Sequence, residues 1–301
     1  MKICISTTSF GEYDKSYLKL CESKGYELIL NPYGRKVKPE ELIGLAKEAV
    51  GLIAGTESIT EEVLTKLTNL KVISRCGVGM ETVDLDAAKR LGIKVFNTPD
   101  APTLAVAELT VGLILSLLRK ISLTGMAVKN GKWQKLMGNL LSGKRVGIIG
   151  FGRIGKKVAE LLNCFDCEIL FTDPLVIESK GSFKSVPIEK LLKDSDIVSI
   201  HVSANDKILG LKELKMMKRG AWLINTSRGE VVDEGALYEV LKGGHLSGAA
   251  LDVFAQEPYA GALLKLDNVI LTPHVGSYAK ESRVEMERQS VENLLKGLEA
   301  K

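Results

Sequence analysis

Over the first hundred residues, short apolar runs alternate with stretches whose apolar positions recur every three or four residues. The runs at residues 2–6, 27–30, 51–54, 71–74 and 94–97 predict strands, and the stretches at 17–23, 39–49, 60–67 and 84–91 predict amphipathic helices. Pro39 followed by Glu40 and Glu41, and Thr60 followed by Glu61 and Glu62, are helix start signals. Repeated strand–helix units of this kind build a parallel sheet covered on both faces. Two prolines in Asn97-Thr-Pro-Asp-Ala-Pro102 interrupt any regular element and mark a boundary. A helix at 103–119 follows, apolar on most faces, so it calls for cover from two bodies, at a domain or subunit contact. Lys129-Asn-Gly-Lys-Trp133 reads as a loop or helix end with the tryptophan as a packing anchor. A second strand–helix series runs from Leu141 to about Thr272. The tail at 279–298 is helical again, with Val284, Val291, Leu294 and Leu295 on one side and no strand of its own. It is expected to return to the first domain.

The pattern therefore predicts an α/β chain of two doubly wound parallel-sheet domains, a Rossmann domain and a flavodoxin-like one, with a cleft between them. The expected division is residues 1–98 with 277–301 for substrate and 99–276 for a dinucleotide. The dinucleotide expectation starts at the strand 146–149, which meets Gly150-Phe-Gly-Arg-Ile-Gly155, a G-x-G-x-x-G run opening a helix. Gly150 permits the tight turn, Gly152 lets the backbone approach a pyrophosphate, and Gly155 lets helix and strand pack closely. The helix N-terminus offers free N–H groups to that anion. A second strand, 168–172, ends on Asp173, eighteen residues past Gly155, near the ~20-residue offset at which a carboxylate takes the ribose 2′-hydroxyl. Its charge would repel a 2′-phosphate, which favours NAD over NADP.

Composition narrows the rest. Apolar residues make up 45% of the 301 and charged residues 26%, the profile of a globular protein. The net charge of +4 is dispersed, without a basic block, so no nucleic-acid partner is expected. The N-terminus enters a strand pattern directly, with no expected signal peptide. The most apolar run, 104–118, falls short of the ~20 residues a membrane span needs and contains Glu108. Five cysteines without framework spacing fit a cytoplasmic location. Cys164-Phe-Asp-Cys167 matches C-x-x-C but stands alone at a helix end, and no metal site is expected.

The strands of the second domain end on chemistry. Residues 197–200 lead to His201, 222–225 to Thr226-Ser-Arg228, 249–251 to Asp252 with Glu257 beyond, and 269–272 to Pro273-His274-Val-Gly276. In a parallel sheet these carboxyl ends share one edge, where ligands bind. Hydride chemistry on a hydroxy acid needs a cation for the substrate carboxylate, for which a guanidinium fork is suited. It also needs a proton carrier working near neutral pH, and a carboxylate that fixes that carrier's tautomer and stabilises its cation. Arg228, His274 and Glu257 fit these roles. His201 reads as a cofactor-side or packing residue, and His245 in a surface turn receives no role. No nucleophile elbow appears, which disfavours a hydrolase.

With these residues in view the chain resembles the D-isomer-specific 2-hydroxyacid dehydrogenase family over essentially its whole length. The matching pieces are Arg75-Cys-Gly-Val-Gly79, Asn97-Thr-Pro99, Ala107-Glu-Leu-Thr110 and the 150–155 glycines. They continue with Asn225-Thr-Ser-Arg-Gly-Glu-Val-Val-Asp233, Gly248-Ala-Ala-Leu-Asp-Val-Phe254, Glu257-Pro258 and Pro273-His274. The resemblance implies that Arg228, Glu257 and His274 are catalytic and that Arg153, Ile154, Asp173, Thr226 and Asp252 contact NAD, with His201 and Gly276 beside the cofactor. It implies that the backbone of Cys76, Gly77, Val78 and Gly79 holds the substrate carboxylate with Arg228, and that Arg75 could serve a phosphate. It also implies a homodimer joined through the NAD domain. Within the family, Asn130-Gly-Lys-Trp133, Met137-Gly138 and Arg75 point to the short-form phosphoglycerate dehydrogenases. The leading expected substrate is accordingly 3-phosphoglycerate, oxidised to 3-phosphohydroxypyruvate as in serine biosynthesis. Reductases of glyoxylate or hydroxypyruvate are the near alternative, and a non-enzymatic NAD-sensing corepressor of this fold the remote one. Glu257, where formate-oxidising relatives carry glutamine, disfavours formate. Two departures touch substrate or cofactor: Met80-Glu81-Thr82 replaces an aspartate–asparagine pair, and His201-Val-Ser-Ala204 replaces a proline-containing turn.

Overall fold

The computed structural model describes residues 1–203 and 206–299; Ala204 of the departing turn and the last two residues lie outside the described residues. The chain forms two compact units, Met1–Pro102 with Ser277–Lys301, and Thr103–Gly276.

The first unit carries β1 (Lys2–Ile5), α1 (Ser16–Ser23), β2 (Glu27–Leu30), α2 (Pro39–Ala46), β3 (Ala49–Ala54), α3 (Glu61–Lys66), β4 (Val72–Arg75), α4 (Leu85–Arg90) and β5 (Lys94–Phe96). Its sheet is parallel throughout, in the order β2-β1-β3-β4-β5. Helix starts follow local chemistry. Asp84 caps α4 by accepting the Ala87 N–H at 2.9 Å, and Glu41 turns back to the Lys38 N–H at 2.8 Å above Pro39 in the first turn of α2. The sheet buries both faces. Leu52 and Ile73 pack with Leu42 and Val63 on one side, while Ile3, Ile53 and Val72 face Val291, Leu294 and Leu295 on the other. Those last three belong to the C-terminal helix of residues 280–299, which lies close because two glycines admit it. A Cβ on Gly51 would stand 3.1 Å from Leu294, and one on Gly297 would stand 2.8 Å from both Val72 and Phe96.

The second unit begins with α5 (Thr103–Arg119) and α6 (Ile121–Lys129). It continues with β6 (Arg145–Ile149), α7 (Arg153–Asn163), β7 (Glu168–Thr172), β8 (Lys184–Ser185), α8 (Ile188–Asp194), β9 (Ile197–Ile200), α9 (Leu211–Met216), β10 (Trp222–Asn225), α10 (Glu234–Lys242), β11 (Gly248–Leu251) and β12 (Val269–Leu271); α11 (Lys280–Glu299) then rejoins the first unit. The seven strands are parallel in the order β12-β11-β10-β9-β6-β7-β8. Helices α5 and α7 cover one face with Ala107, Ile114, Val158 and Leu162, over a Phe151–Phe171 stack at 3.8 Å. The other face carries Leu191, Leu214 and Leu237 from α8, α9 and α10. The strand β8 has no counterpart in the sequence reading, because two residues at a sheet edge leave no pattern. The sequence expectation for Trp133 needs correction, since the ring is 85% exposed and anchors nothing within its own chain. Residues 130–140 form no helix or strand. Gly138 lies flat against the backbone of residues 118 and 119, with Asn139 N–H on the Leu118 carbonyl at 2.9 Å. Trp133, Met137 and Leu140 are left facing outward.

The close seating of α11 makes a stability prediction. Leu294 is fully buried, and Leu294→Ala should destabilise the first unit by ~2–5 kcal/mol through lost transfer energy and a cavity. A urea titration followed by far-ultraviolet circular dichroism measures this as an earlier transition for that unit.

Candidate functional site

At the carboxyl edge of the seven-stranded sheet, Asn225 ends β10 and folds the chain back on itself. Its fully buried amide accepts from the Ser227 N–H at 3.1 Å and hydroxyl at 2.8 Å, and donates to the Arg228 carbonyl at 2.8 Å. The Arg228 side chain is thereby brought to the sheet edge, with Nη1 on the Ser227 carbonyl at 2.9 Å. Gly229 must be glycine, since a Cβ there would collide with the Phe254 carbonyl. That contact presses the β10 turn onto the β11 turn that carries Glu257. Glu257 Oε1 accepts the Phe254 N–H at 3.1 Å, and its two oxygens lie 2.9 and 3.1 Å from His274 Nδ1. Arg228, Glu230, Phe254, Glu257 and His274 line one open depression of about 250 Å³.

His274 has φ 55°, in the left-handed region that costs a non-glycine residue roughly 1–2 kcal/mol. Asp252 holds it there. This carboxylate, 1% exposed, accepts from Thr272 Oγ1 at 2.5 Å, the Val275 N–H at 2.9 Å and the Gly276 N–H at 2.8 Å. A carboxylate can only accept, so the contact with Glu257 puts the proton of neutral His274 on Nδ1. Nε2 is the other nitrogen of this half-exposed ring.

The glycine run lies one strand-pair away, where β6 gives way to α7. Gly150 has φ 91° and faces the His201 carbonyl, and Gly155 packs against the Gly150 carbonyl so closely that a Cβ would clash with it. Around Gly152 a Cβ would meet nothing within 4 Å. This tests the fit to a dinucleotide. The two outer glycines are needed for the loop itself, whereas the middle one borders open space at the start of α7, where Arg153, Ile154 and Gly155 present their first-turn amides. Asp173 is bound into the loop, with Oδ2 accepting the Phe151 N–H at 2.6 Å and Oδ1 those of Leu175 and Val176 at 2.8 and 3.1 Å. Thr226 is buried, its hydroxyl 3.0 Å from that of Thr110 on α5.

Arg75, Cys76, Gly77, Val78 and Gly79 belong to the first unit, at the carboxyl end of β4. The loop is fixed by its neighbour in the sheet: the Gly77 N–H donates to Thr98 Oγ1 at 2.9 Å, and Asn97 donates to the Val78 carbonyl at 2.8 Å. Burial pushes the Cys76 thiol up to about 11, which makes it a packing group. The Arg75 guanidinium is turned under the loop, 7% exposed, with Nη1 on the Cys76 carbonyl at 3.3 Å and close beneath Gly77.

Residues 111–276 match the family model described as "D-isomer specific 2-hydroxyacid dehydrogenase, NAD binding domain". A hydroxypyruvate reductase of Thermotoga maritima is 37% identical over 292 residues, 92% of this chain and 95% of that one. The chain belongs to the D-isomer specific 2-hydroxyacid dehydrogenase family. A D-3-phosphoglycerate dehydrogenase of Methanocaldococcus jannaschii is 41% identical over 81% of the chain, which spans about half (49%) of that relative's length. Among solved structures, the TT0316 protein of Thermus thermophilus superposes with a TM-score of 0.93 at 35% identity, covering 100% of this chain and 98% of that one. The protein is thus an NAD-dependent oxidoreductase acting on 2-hydroxy acids.

Two features of this dehydrogenase escape a reading of strand ends alone. Asn225 shapes the arginine turn, and its signal is an asparagine two residues before a serine, the residue type that closes such turns. Ser199 is fully buried within β9, with Oγ 2.8 Å from His201 Nε2; nothing in an apolar strand announces that partner. Burial lowers the pKa of His201 to about 3. An unfolded histidine takes up its proton below ~6.5, whereas the folded one stays neutral down to about pH 3. Stability contributed by neutral His201 is therefore complete above that upper limit and is lost as the pH falls between the two values, by up to ~1.4 kcal/mol per pH unit. His201→Asn should flatten this slope between pH 6 and 5 in urea titrations. Both tryptophans, Trp133 and Trp222, lie in the second unit, so their fluorescence follows the unit concerned.

Proposed function

We propose that the protein interconverts a D-2-hydroxy acid and its 2-oxo acid through Arg228, Glu257 and His274. The reading is carried by the contact of His274 Nδ1 with both oxygens of Glu257, in the same depression as Arg228. In this mechanism Arg228 holds the substrate carboxylate by a two-pronged contact and polarises the C2 oxygen. The backbone amides of residues 76–79 take the same carboxylate. His274 Nε2 accepts the C2 hydroxyl proton during oxidation and returns it during reduction, while Glu257 stabilises the imidazolium that exists in between. NAD, when bound, supplies the hydride acceptor or donor; the 150–155 loop and the start of α7 would hold its pyrophosphate, and Asp173 its ribose.

The substrate we favour is a small acid such as hydroxypyruvate or glyoxylate. The phosphate role expected of Arg75 has little support from a side chain buried under the 76–79 loop. The hydroxypyruvate reductase of T. maritima is also matched along nearly its full length, whereas the phosphoglycerate dehydrogenase of M. jannaschii is matched over half. Oxidation of 3-phosphoglycerate, as in serine biosynthesis, is the second reading, favoured by the 41% identity to that enzyme. We further propose a homodimer built on the outward side chains of α6 and the segment after it, with Met126, Trp133, Met137 and Leu140 between 63% and 87% exposed. Apolar area of that kind marks an interaction surface. Five free cysteines, three of them with thiols pushed up by burial to about 11 and one to about 12, accord with a cytoplasmic setting. Among the described residues no helix is long and apolar enough to cross a membrane.

His274→Ala should lower kcat for hydroxypyruvate reduction by ~10²–10⁴-fold while NADH affinity stays near wild type; steady-state rates with fluorescence titration of NADH measure both. Arg228→Lys keeps the charge but loses the fork, so KM for the acid should rise more than kcat falls. Full turnover in the histidine variant would remove the proposal. A Trp133→Glu, Met137→Glu variant should elute from a sizing column coupled to light scattering at half the mass of the wild type.

A further inference from the structure

The five-stranded sheet reverses its winding between β1 and β3, and in sheets of this order ligands gather at the carboxyl edge beside the reversal. The loops there are residues 6–11 and 55–58. Glu57 bridges them. It is 2% exposed, and its Oε1 accepts from Ser6 Oγ and from the Gly55 N–H, the latter at 2.9 Å. Gly55 leaves room for the carboxylate, since a Cβ there would stand 2.8 Å from Glu57 Oε2 and 3.3 Å from Thr7 Cα. No ion pair to Glu57 forms among the described residues. Of the cations at this edge, Arg75 has Nη1 on the Cys76 carbonyl at 3.3 Å, and Arg283 donates from Nη2 to Thr7 Oγ1 at 2.5 Å while its Nε lies 2.9 Å from the fully buried Glu287. The charge of Arg283 is answered there. Burial and then the charge of Glu57 push the Cys4 thiol up to about 12, so the field of this carboxylate reaches into the sheet.

The 76–79 loop follows β4, the next strand over, and the Cys76 N–H is bonded to the Ala54 carbonyl at 2.9 Å. Neighbouring strands lie ~4.8 Å apart, about the length of a three-carbon acid. An acid anchored by its carboxylate at residues 76–79 can therefore extend its tail over the end of β3, toward residues 55–57. We propose that Glu57 is a specificity-determining residue, whose buried negative charge selects 2-oxo acids with an uncharged, hydrogen-bond-donating tail and rejects those ending in phosphate or a second carboxylate. The proposal rests on the reading of the 76–79 loop as the carboxylate seat. Its logic is repulsive as much as attractive: like charges at low local dielectric interact over several ångströms, and a carboxylate held by neutral donors, with no cation paired to it, is an effective discriminator.

The test compares kcat/KM for hydroxypyruvate and phosphohydroxypyruvate in the wild type, Glu57→Gln and Glu57→Asp. The wild type should prefer the uncharged tail. Glu57→Gln keeps the shape and an accepting oxygen but loses the charge, so the preference should fall ~10-fold, through KM for the phosphorylated acid, as loss of ~1.4 kcal/mol of repulsion requires. Glu57→Asp retains the charge and should stay within ~2-fold of the wild-type ratio. A ratio unmoved in Glu57→Gln, or equal collapse in both variants, overturns the inference and leaves a loop-holding role only. Should either variant fail to fold, the wild type still decides: D-glycerate must bind more tightly than 3-phosphoglycerate as a product inhibitor, and the reverse order overturns the proposal. A wild type inactive on every acid instead removes the dehydrogenase reading of the site, and this inference with it. A wild type active on hydroxypyruvate with an unmoved ratio in Glu57→Gln removes this inference alone.

Discussion

The arrangement of the second unit turns on one buried carboxylate. Asp252 is withdrawn from solvent at the end of β11, where an unanswered charge would be prohibitively costly, and three donors from the turn after β12 answer it. Those donors come from residues 272, 275 and 276, on either side of His274. Satisfying Asp252 therefore dictates the path of the backbone through His274, including its left-handed conformation. Charge-assisted bonds of this kind are stronger than neutral ones, enough to offset the local strain. Once the path is set, Nδ1 meets both oxygens of Glu257. Glu257 is itself tied to the Phe254 N–H, so the imidazole and its carboxylate are each held by backbone that the fold has already placed.

A parallel sheet supplies the rest at no further design cost. Within each sheet, strands that end together deliver their loops to that sheet's carboxyl edge, and each loop here is closed by a polar side chain of its own or of its neighbour. Asn225 closes the arginine turn, Thr98 and Asn97 close the 76–79 loop, and Asp173 closes the glycine loop. Positioning by backbone hydrogen bonds, rather than by packing of the functional side chains, lets Arg228 and His274 remain accessible while their loops stay ordered.

What was legible in the sequence follows from what is local. Strands buried on both faces are apolar runs, so β1 to β5 and most strands of the second unit could be read to within a residue or two; β8, two residues long, could not. The apolar character of Trp133, Met137 and Leu140 was equally legible, but a hydrophobic residue reads alike whether its own chain or another covers it. The residue type of Arg75 was evident and its direction was not, because a side chain at a strand end may turn over the loop or beneath it. Asp252 shows the deepest limit. A strand-end acid reads as a ligand for the cofactor, while the donors that occupy it arrive from twenty or more residues away.

Asp173 joins these themes at the glycine loop. Its Oδ1 is filled by two amides and its Oδ2 holds the Phe151 N–H inside the glycine loop. A ribose hydroxyl can still donate to the remaining lone pair of Oδ2, for each carboxylate oxygen offers two. A 2′-phosphate would meet the same oxygen with like charge and nothing to donate. On the proposed reading of Asp173 as the ribose ligand, the group that discriminates between the two dinucleotides is therefore also the group that shapes the glycine loop. Replacing Asp173 by an apolar residue would leave three amide N–H donors without their acceptor at once, so on that reading cofactor choice is bound to the folding of the loop.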